Sequence, residues 1–312
     1  MLLFGRLLQG VGTGIGLPLM FHLILTKAPL HKRGMMMGIG TLTTSIAPAI
    51  GPTYGGIISN SLDWRYIYIF LLPLVVISLV LGLACLPREG EKTPKKLALR
   101  PVIALSIMFF AFISALSAEH LMTFALLFIV GLVGAFLFVQ FNCKESLIDL
   151  GILKNHRFVA LIFSLLVYQA LLLGLSFVLP SFIQVSAGFS SSVAGLFMFS
   201  GALIGAVLAP ISGKVLDQIG ARKPITTGLI LAALGLALIF VFLPTKSLAL
   251  LLGAHIVLML GLGISYSNLM TCSLSTLATD QLSDGNALVN TLQQFIGAVA
   301  TAVVATTLSI FQ

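Results

Sequence analysis

Apolar residues in this chain do not alternate with polar ones but run in long blocks, separated by short clusters that hold most of the charge. Cutting at those clusters leaves apolar runs at about 1–26, 35–60, 65–86, 101–118, 121–141, 157–184, 192–212, 224–243, 248–270 and 286–311. Each is close to the roughly 20 residues that a helix needs to cross the hydrocarbon core. The pattern predicts an all-α polytopic membrane protein with about ten transmembrane helices, since a helix satisfies its own backbone in lipid. The turn Ser117-Ala118-Glu119-His120 separates the two runs that lie closest together.

Lysine and arginine are shared unevenly between alternate loops. One set carries Lys27, Lys32 and Arg33; Arg88, Lys92, Lys95, Lys96 and Arg100; Lys144, Lys154 and Arg157; and Lys214, Arg222 and Lys223. The other carries only Arg65 and Lys246. Basic loops stay on the cytoplasmic side, which places the first set there. The net charge of +8 is accounted for by this topology, with a weak attraction to anionic lipid headgroups beside it, and does not imply nucleic acid.

Composition agrees: 58% hydrophobic and 8% charged residues, with a mean hydropathy of +1.12, lie far from the range of soluble domains. Cys85, Cys143 and Cys272 are far apart, in no spacing that would hold zinc or build a disulfide framework. With no nucleophile constellation, metal cluster or phosphate loop, neither an enzyme nor a bound cofactor or metal is expected. The start, MLLFGRLLQGVGTG, has no basic n-region and no small-residue cleavage site, and reads as a chain beginning inside a helix.

Four stretches carry chemistry. The first runs from Gly40 to Trp64 and has Gly40, Thr44, Ala47, Gly51 and Gly55 on one stripe, with Pro48 and Pro52 beside it. Such a stripe lets another helix approach closely, and two prolines free carbonyls that need a partner or a cavity. The second is the face of Arg6, Gln9, Gly10 and Thr13 in the first span. A charge there costs at least about 2.5 kcal/mol unless it faces protein or water, or snorkels to the interface. The third is Gly213-Lys214-Val215-Leu216-Asp217-Gln218-Ile219-Gly220-Ala221-Arg222. There Gly220 permits a tight turn and Asp217 can pair with a cation or a helix N-terminus. The fourth is a pair of polar stripes, Gly261, Ser265, Asn268 and Cys272, then Asn286, Asn290, Gln293, Gly297 and Thr301. Amides so placed either pair with neighbouring helices or line a wet cavity, and Asn286, Asn290 and Gln293 are expected to line one. His22 and His255 could titrate but sit off these faces, and no span holds an obvious intramembrane acid.

The cluster Gly51-Pro52-Thr53-Tyr54-Gly55-Gly56 resembles the antiporter motif on the fifth helix of major facilitator superfamily exporters. LLxGRxxQGxGTG, with Arg6, Gln9, Gly10 and Gly12 in place, is similar to the fourth-helix motif whose arginine is associated with proton coupling. The 213–224 loop resembles the superfamily's cytoplasmic loop motif through Gly213, Asp217, Gly220 and Arg222, departing from it at Gln218 and Ala221. Asp63-Trp64-Arg65-Tyr66 and the extra pair of spans at 101–118 and 121–141 resemble the fourteen-helix drug:proton antiporters of the EmrB/QacA type.

The resemblance implies a partial major facilitator fold lacking the first three helices and the last one. It divides into a remainder of the N-terminal half (1–86), a basic cytoplasmic linker (87–100), two central helices with an interfacial segment (101–156) and a C-terminal half (157–312). It implies proton-coupled antiport of amphipathic organic compounds by alternating access, driven by a proton gradient, in a bacterial plasma membrane. Arg6 would tune proton binding, Gly51, Pro52, Gly55 and Gly56 would shape and seal the cavity, and Gly213, Asp217, Gly220 and Arg222 would form a conformational latch. The absent helices would come from a longer chain or a partner fragment. Two alternatives stand beside this: a split or truncated product without transport of its own, and an uptake facilitator of the same superfamily.

Overall fold

The computed structural model describes residues 2–63, 65–85 and 98–311, and places side chains there except at 2–3, 46, 48–49, 52–53, 56–57, 59–61 and 309–311. Most of the expected basic linker, and Trp64, lie outside the described residues. Ten long helices follow the predicted runs. They are α1 (Leu2–Lys27), α2 (Arg33–Ser61), α3 (Arg65–Cys85), α4 (Leu99–Leu116), α5 (Leu121–Lys144), α6 (His156–Ser181), α7 (Ser191–Ile219), α8 (Arg222–Phe242), α9 (Leu248–Ser275) and α10 (Leu282–Phe311). Among the described residues nine spans are long and apolar enough to cross a membrane.

The helix ends follow local chemistry. The Asn155 side chain accepts from the N–H groups of Arg157 and Phe158 at 3.1 and 3.3 Å and starts α6. Ser190 does the same for α7 through Val193. Gly220, at φ +82°, ends α7 in a conformation that a side chain would strain. Pro180, expected to disturb the first span of the C-terminal half, precedes a π-helical turn at Phe182–Ser186, where the Gln184 amide donates to the Pro180 carbonyl at 3.2 Å. The segment 146–155, expected to form a short surface helix, is shorter than that, a 3₁₀ turn at Leu150–Lys154. Its conformation is set by Asn142, whose side chain bonds Leu147 N–H, Ile148 N–H and the Ile148 carbonyl, while Ile148 and Ile152 are buried.

The core sits among α6 to α9, with α9 buried on nearly every side. α9 packs on α6, α7 and α8, and α10 on α6; α2 lies against α7, α1 against α2 and α10, and the hairpin α4–α5 against α10. No described residue of α3 is buried. An apolar outer surface suits a lipid environment, where helices associate through close packing and not by exclusion of water.

Candidate functional site

α1 and α10 face one another across a cavity of about 520 Å³. Gly10, Thr13 and Gly14 of α1 form one wall, Asn290 and Gln294 of α10 another, and Phe109 of α4 a third. The glycines make the α1 wall bare backbone, and a Cβ at Gly10 or Gly14 would meet open space. Among the described residues that line the cavity, none carries a charge.

Arg6 lies one turn before Gly10, toward the face opposite the basic loops. Its guanidinium donates to the Gln9 side-chain carbonyl at 3.2 Å and to the Tyr68 hydroxyl of α3 at 2.9 Å, and lies 5.6 Å from the Tyr68 ring centroid. No carboxylate pairs with Arg6 among the described residues. Arginine's fork of donors suits this shared grip on an amide and a phenol.

The three amides of α10 are all buried but have different neighbours. Asn286 donates to the Pro18 carbonyl of α1 at 2.7 Å, and Asn290 donates to the Asn286 backbone and side-chain carbonyls, both at 2.9 Å. Gln293 donates to the Tyr266 hydroxyl of α9 at 2.8 Å, which in turn donates to Gln169 of α6 at 2.6 Å. Of the three, only Asn290 is among the cavity-lining residues. The other two expected there hold helices together, because each finds a partner within reach that a bare stripe on a helical wheel does not reveal.

The polar stripe of α9 is also internal. Ser265 donates to the Gly261 carbonyl at 2.6 Å and lies 2.9 Å from the Tyr168 hydroxyl, and Asn268 donates to the Ser212 hydroxyl at 2.7 Å. His255 is fully buried, stacked on Phe197 at 5.0 Å between centroids, and neither ring nitrogen has a partner. Gly201 makes room for it, since a Cβ there would strike the imidazole. His22 lies on the basic-loop half of α1, away from the cavity wall.

At the basic face Asp217, in the last turns of α7, bonds the start of α2. Its carboxylate accepts from the N–H groups of Gly34 and Met35 at 2.8 and 2.9 Å. These are orphan donors of a helix N-terminus, and a carboxylate there also meets the positive end of the helix dipole. Arg222, expected to act with Asp217, opens α8 and does not pair with it. Gly213 makes the contact possible: a Cβ there would collide with the Gly34 backbone, and one at Gly38 would collide with that of Ala209 and Pro210.

The close approach expected along the Gly40–Gly55 stripe therefore occurs nearer the basic end of α2. Gly40 meets Ile24 and Phe21 of α1 at 3.0 and 3.2 Å from an added Cβ, but at Gly51 and Gly55 a Cβ would meet open space. Tyr54, in the same cluster, donates to the Ile67 carbonyl of α3 at 3.2 Å. The side-chain surroundings of Pro52, and those of Gly56, lie outside the described residues. Three partners were not legible in sequence: the Pro18 carbonyl, Tyr68 and Phe109. The only signal for the first two was their presence in otherwise apolar spans.

Residues 1–301 match the Major Facilitator Superfamily. The chain is 33% identical to the lincomycin resistance protein LmrB of Listeria monocytogenes, over 99% of this chain and 67% of that protein. It is 31% identical to the LmrB of Bacillus subtilis, over 97% and 65%. A multidrug resistance protein B homolog of Mycobacterium tuberculosis is 27% identical, over 99% and 59%. The chain thus spans about two thirds of the length of these relatives or somewhat less.

Proposed function

Because the chain belongs to the Major Facilitator Superfamily, and so is a multi-pass transporter and not an enzyme, we propose that it exports amphipathic organic compounds by proton-coupled antiport. The observation that carries this reading is the pair of contacts at the basic face. Asp217 holds α7 to the start of α2, and Asn286 holds α10 to Pro18 of α1. Both join the first three helices to the C-terminal group on the same side of the cavity. With these contacts made, the cavity is closed toward the cytoplasm; with them broken and the opposite side joined, it opens there. Contacts that exist in one state only bias the equilibrium between the two.

In this reading Arg6 tunes proton binding, since a fixed positive charge favours the deprotonated form of a carboxyl brought near it. Asp217 latches the cytoplasm-closed state, with Gly213 and Gly220 giving it access and Arg222 adding positive charge at the same loop. Gly51, Pro52, Gly55 and Gly56 shape the bend and the seal that α2 gives the cavity during the cycle. The hairpin α4–α5 is the central pair of a fourteen-helix plan of the EmrB/QacA type. Residues 1–86 and 157–312 are parts of two rocking halves, joined by the 87–100 linker and the 101–156 insertion, in a bacterial plasma membrane.

The LmrB relatives are named for lincomycin resistance, so lincomycin is the first probe. In inside-out vesicles containing the purified chain, an acid interior drives lincomycin accumulation, and a protonophore abolishes it. Accumulation indifferent to the protonophore removes proton coupling; transport in the opposite direction replaces export with uptake.

A further inference from the structure

The hairpin α4–α5 is tied to α10 at three heights. Near the outer face the Thr306 hydroxyl donates to the Leu116 carbonyl at 3.1 Å. Mid-helix, Phe109 stacks on Phe295 with centroids 4.5 Å apart and ring planes 20° apart. At the basic face the Asp149 N–H, in the segment that follows α5, donates to the Asp284 carboxylate at 2.9 Å. Within the hairpin the two helices are in close backbone contact, because a Cβ at Gly134 would lie 2.9 Å from the Met108 nitrogen. Three attachments spread along one helix leave little freedom for independent movement.

We propose that α4 is a wall of the substrate cavity that moves with α10, and that Phe109 and Phe295 form a subsite for the aromatic ring of a neutral amphipathic substrate. The proposal rests on the transport reading above and names its substrate class. Two adjacent phenylalanines of α4 show which way the helix is turned. Phe110 is 73% exposed on the outer surface, whereas Phe109 is half-buried and borders the cavity with Ile113. The stacked pair presents a flat apolar surface, and offset ring contacts are worth about 0.5–1.5 kcal/mol beyond area burial. Thr13 and Gln294 border the same cavity, and the Gln294 side chain makes no hydrogen bond to the described residues, leaving an amide to orient a substrate's polar end. No charged side chain lines this space among the described residues, so a neutral molecule enters without an ion left unpaired.

The test places single cysteines in the full chain with Cys85, Cys143 and Cys272 replaced by serine. Ile113→Cys, which borders the cavity one turn from Phe109 and leaves the stacked pair intact, and Phe110→Cys are exposed in membrane vesicles to a charged, water-soluble maleimide, with and without chloramphenicol as a neutral aromatic probe. The expected result is labelling at position 113 and not at 110, slowed at least threefold by chloramphenicol. Absence of labelling at 113 overturns the wall, and labelling indifferent to chloramphenicol overturns the aromatic subsite. In a Phe109→Leu or Phe295→Leu background, labelling at 113 persists while protection falls; undiminished protection overturns the role of the stacked pair. Labelling needs no transport, so a vesicle that fails to move lincomycin but shows the protected cysteine retains the subsite and discards the transport reading.

Discussion

The Asp217 carboxylate takes two N–H groups that α2 has no means of satisfying within its own ladder. Hydrogen bonds to a charged acceptor are worth about 1.5–3 kcal/mol. Asp217→Asn keeps one acceptor oxygen and loses the charge, so it weakens the contact without unfolding either helix. A loss of 1–2 kcal/mol is roughly a factor of 5–30 in an equilibrium. The expected outcome is faster labelling of a Met35→Cys reporter from the cytoplasmic side, and unchanged labelling would show that the carboxylate does not hold the two helices together. Arg6 makes a different prediction because its partners are an amide and a phenol, both neutral. Arg6→Ala leaves insertion intact and abolishes pH-driven lincomycin accumulation; Tyr68→Phe, which removes one acceptor, reduces it only in part. Coupling that survives Arg6→Ala would take the arginine out of the mechanism. Asn286 could be found as a buried polar residue from its helical spacing, but its partner is a backbone carbonyl 268 residues away, and no side-chain pattern announces a carbonyl.

Helices were legible because the bilayer sets their length: apolar runs cut at charged clusters recover α1 to α10 with boundaries shifted by a few residues. Which face of each helix packs was much less so. On α2 the sequence places five small or polar positions in register, yet the backbone-to-backbone contact with α7 lies at Gly34 and Gly38, where α7 offers Gly213 and Ala209. A glycine permits close approach but does not cause it; the neighbour must also be small. This gives a paired prediction at the element scale. Gly213→Leu drives a side chain into the Gly34 backbone and costs at least the 1–3 kcal/mol of an overpacked contact. Gly55→Leu points into open space and leaves the helix pair intact. Thermal denaturation in detergent should separate them, with a clear drop for Gly213→Leu and little change for Gly55→Leu. Equal losses would mean that the Gly55 face is packed as closely as the Gly213 face. The α4–α5 hairpin shows the same limit from another side, since its two spans could be counted in the sequence but their attachment to α10 depends on Phe295, Thr306 and Asp284, which share no motif.

For the molecule as a whole, the first three helices meet the C-terminal group at the basic face through two kinds of bond, a carboxylate on a helix start and an amide on a proline carbonyl. Both are modest: interhelical polar contacts in membranes average about 0.6 kcal/mol and reach about 1.7, and a hydrogen bond to a charged acceptor is worth about 1.5–3. That weakness fits a junction which must open during every transport cycle, because two states exchange readily only when they differ by a few kcal/mol. A covalent tie in the same place changes the balance. In a background otherwise free of cysteine, the pair Met35→Cys and Asp217→Cys replaces the hydrogen-bonded contact with a disulfide. If α2 and α7 part at the basic face in each cycle, oxidation stops lincomycin accumulation in inside-out vesicles and reduction restores it, while the reduced double variant transports more slowly than the parent because its carboxylate is gone. Full transport by a chain shown to be completely cross-linked would mean that this face stays closed throughout, and the opening toward the cytoplasm would then have to lie between α1 and α10, where Asn286 is the bond that breaks.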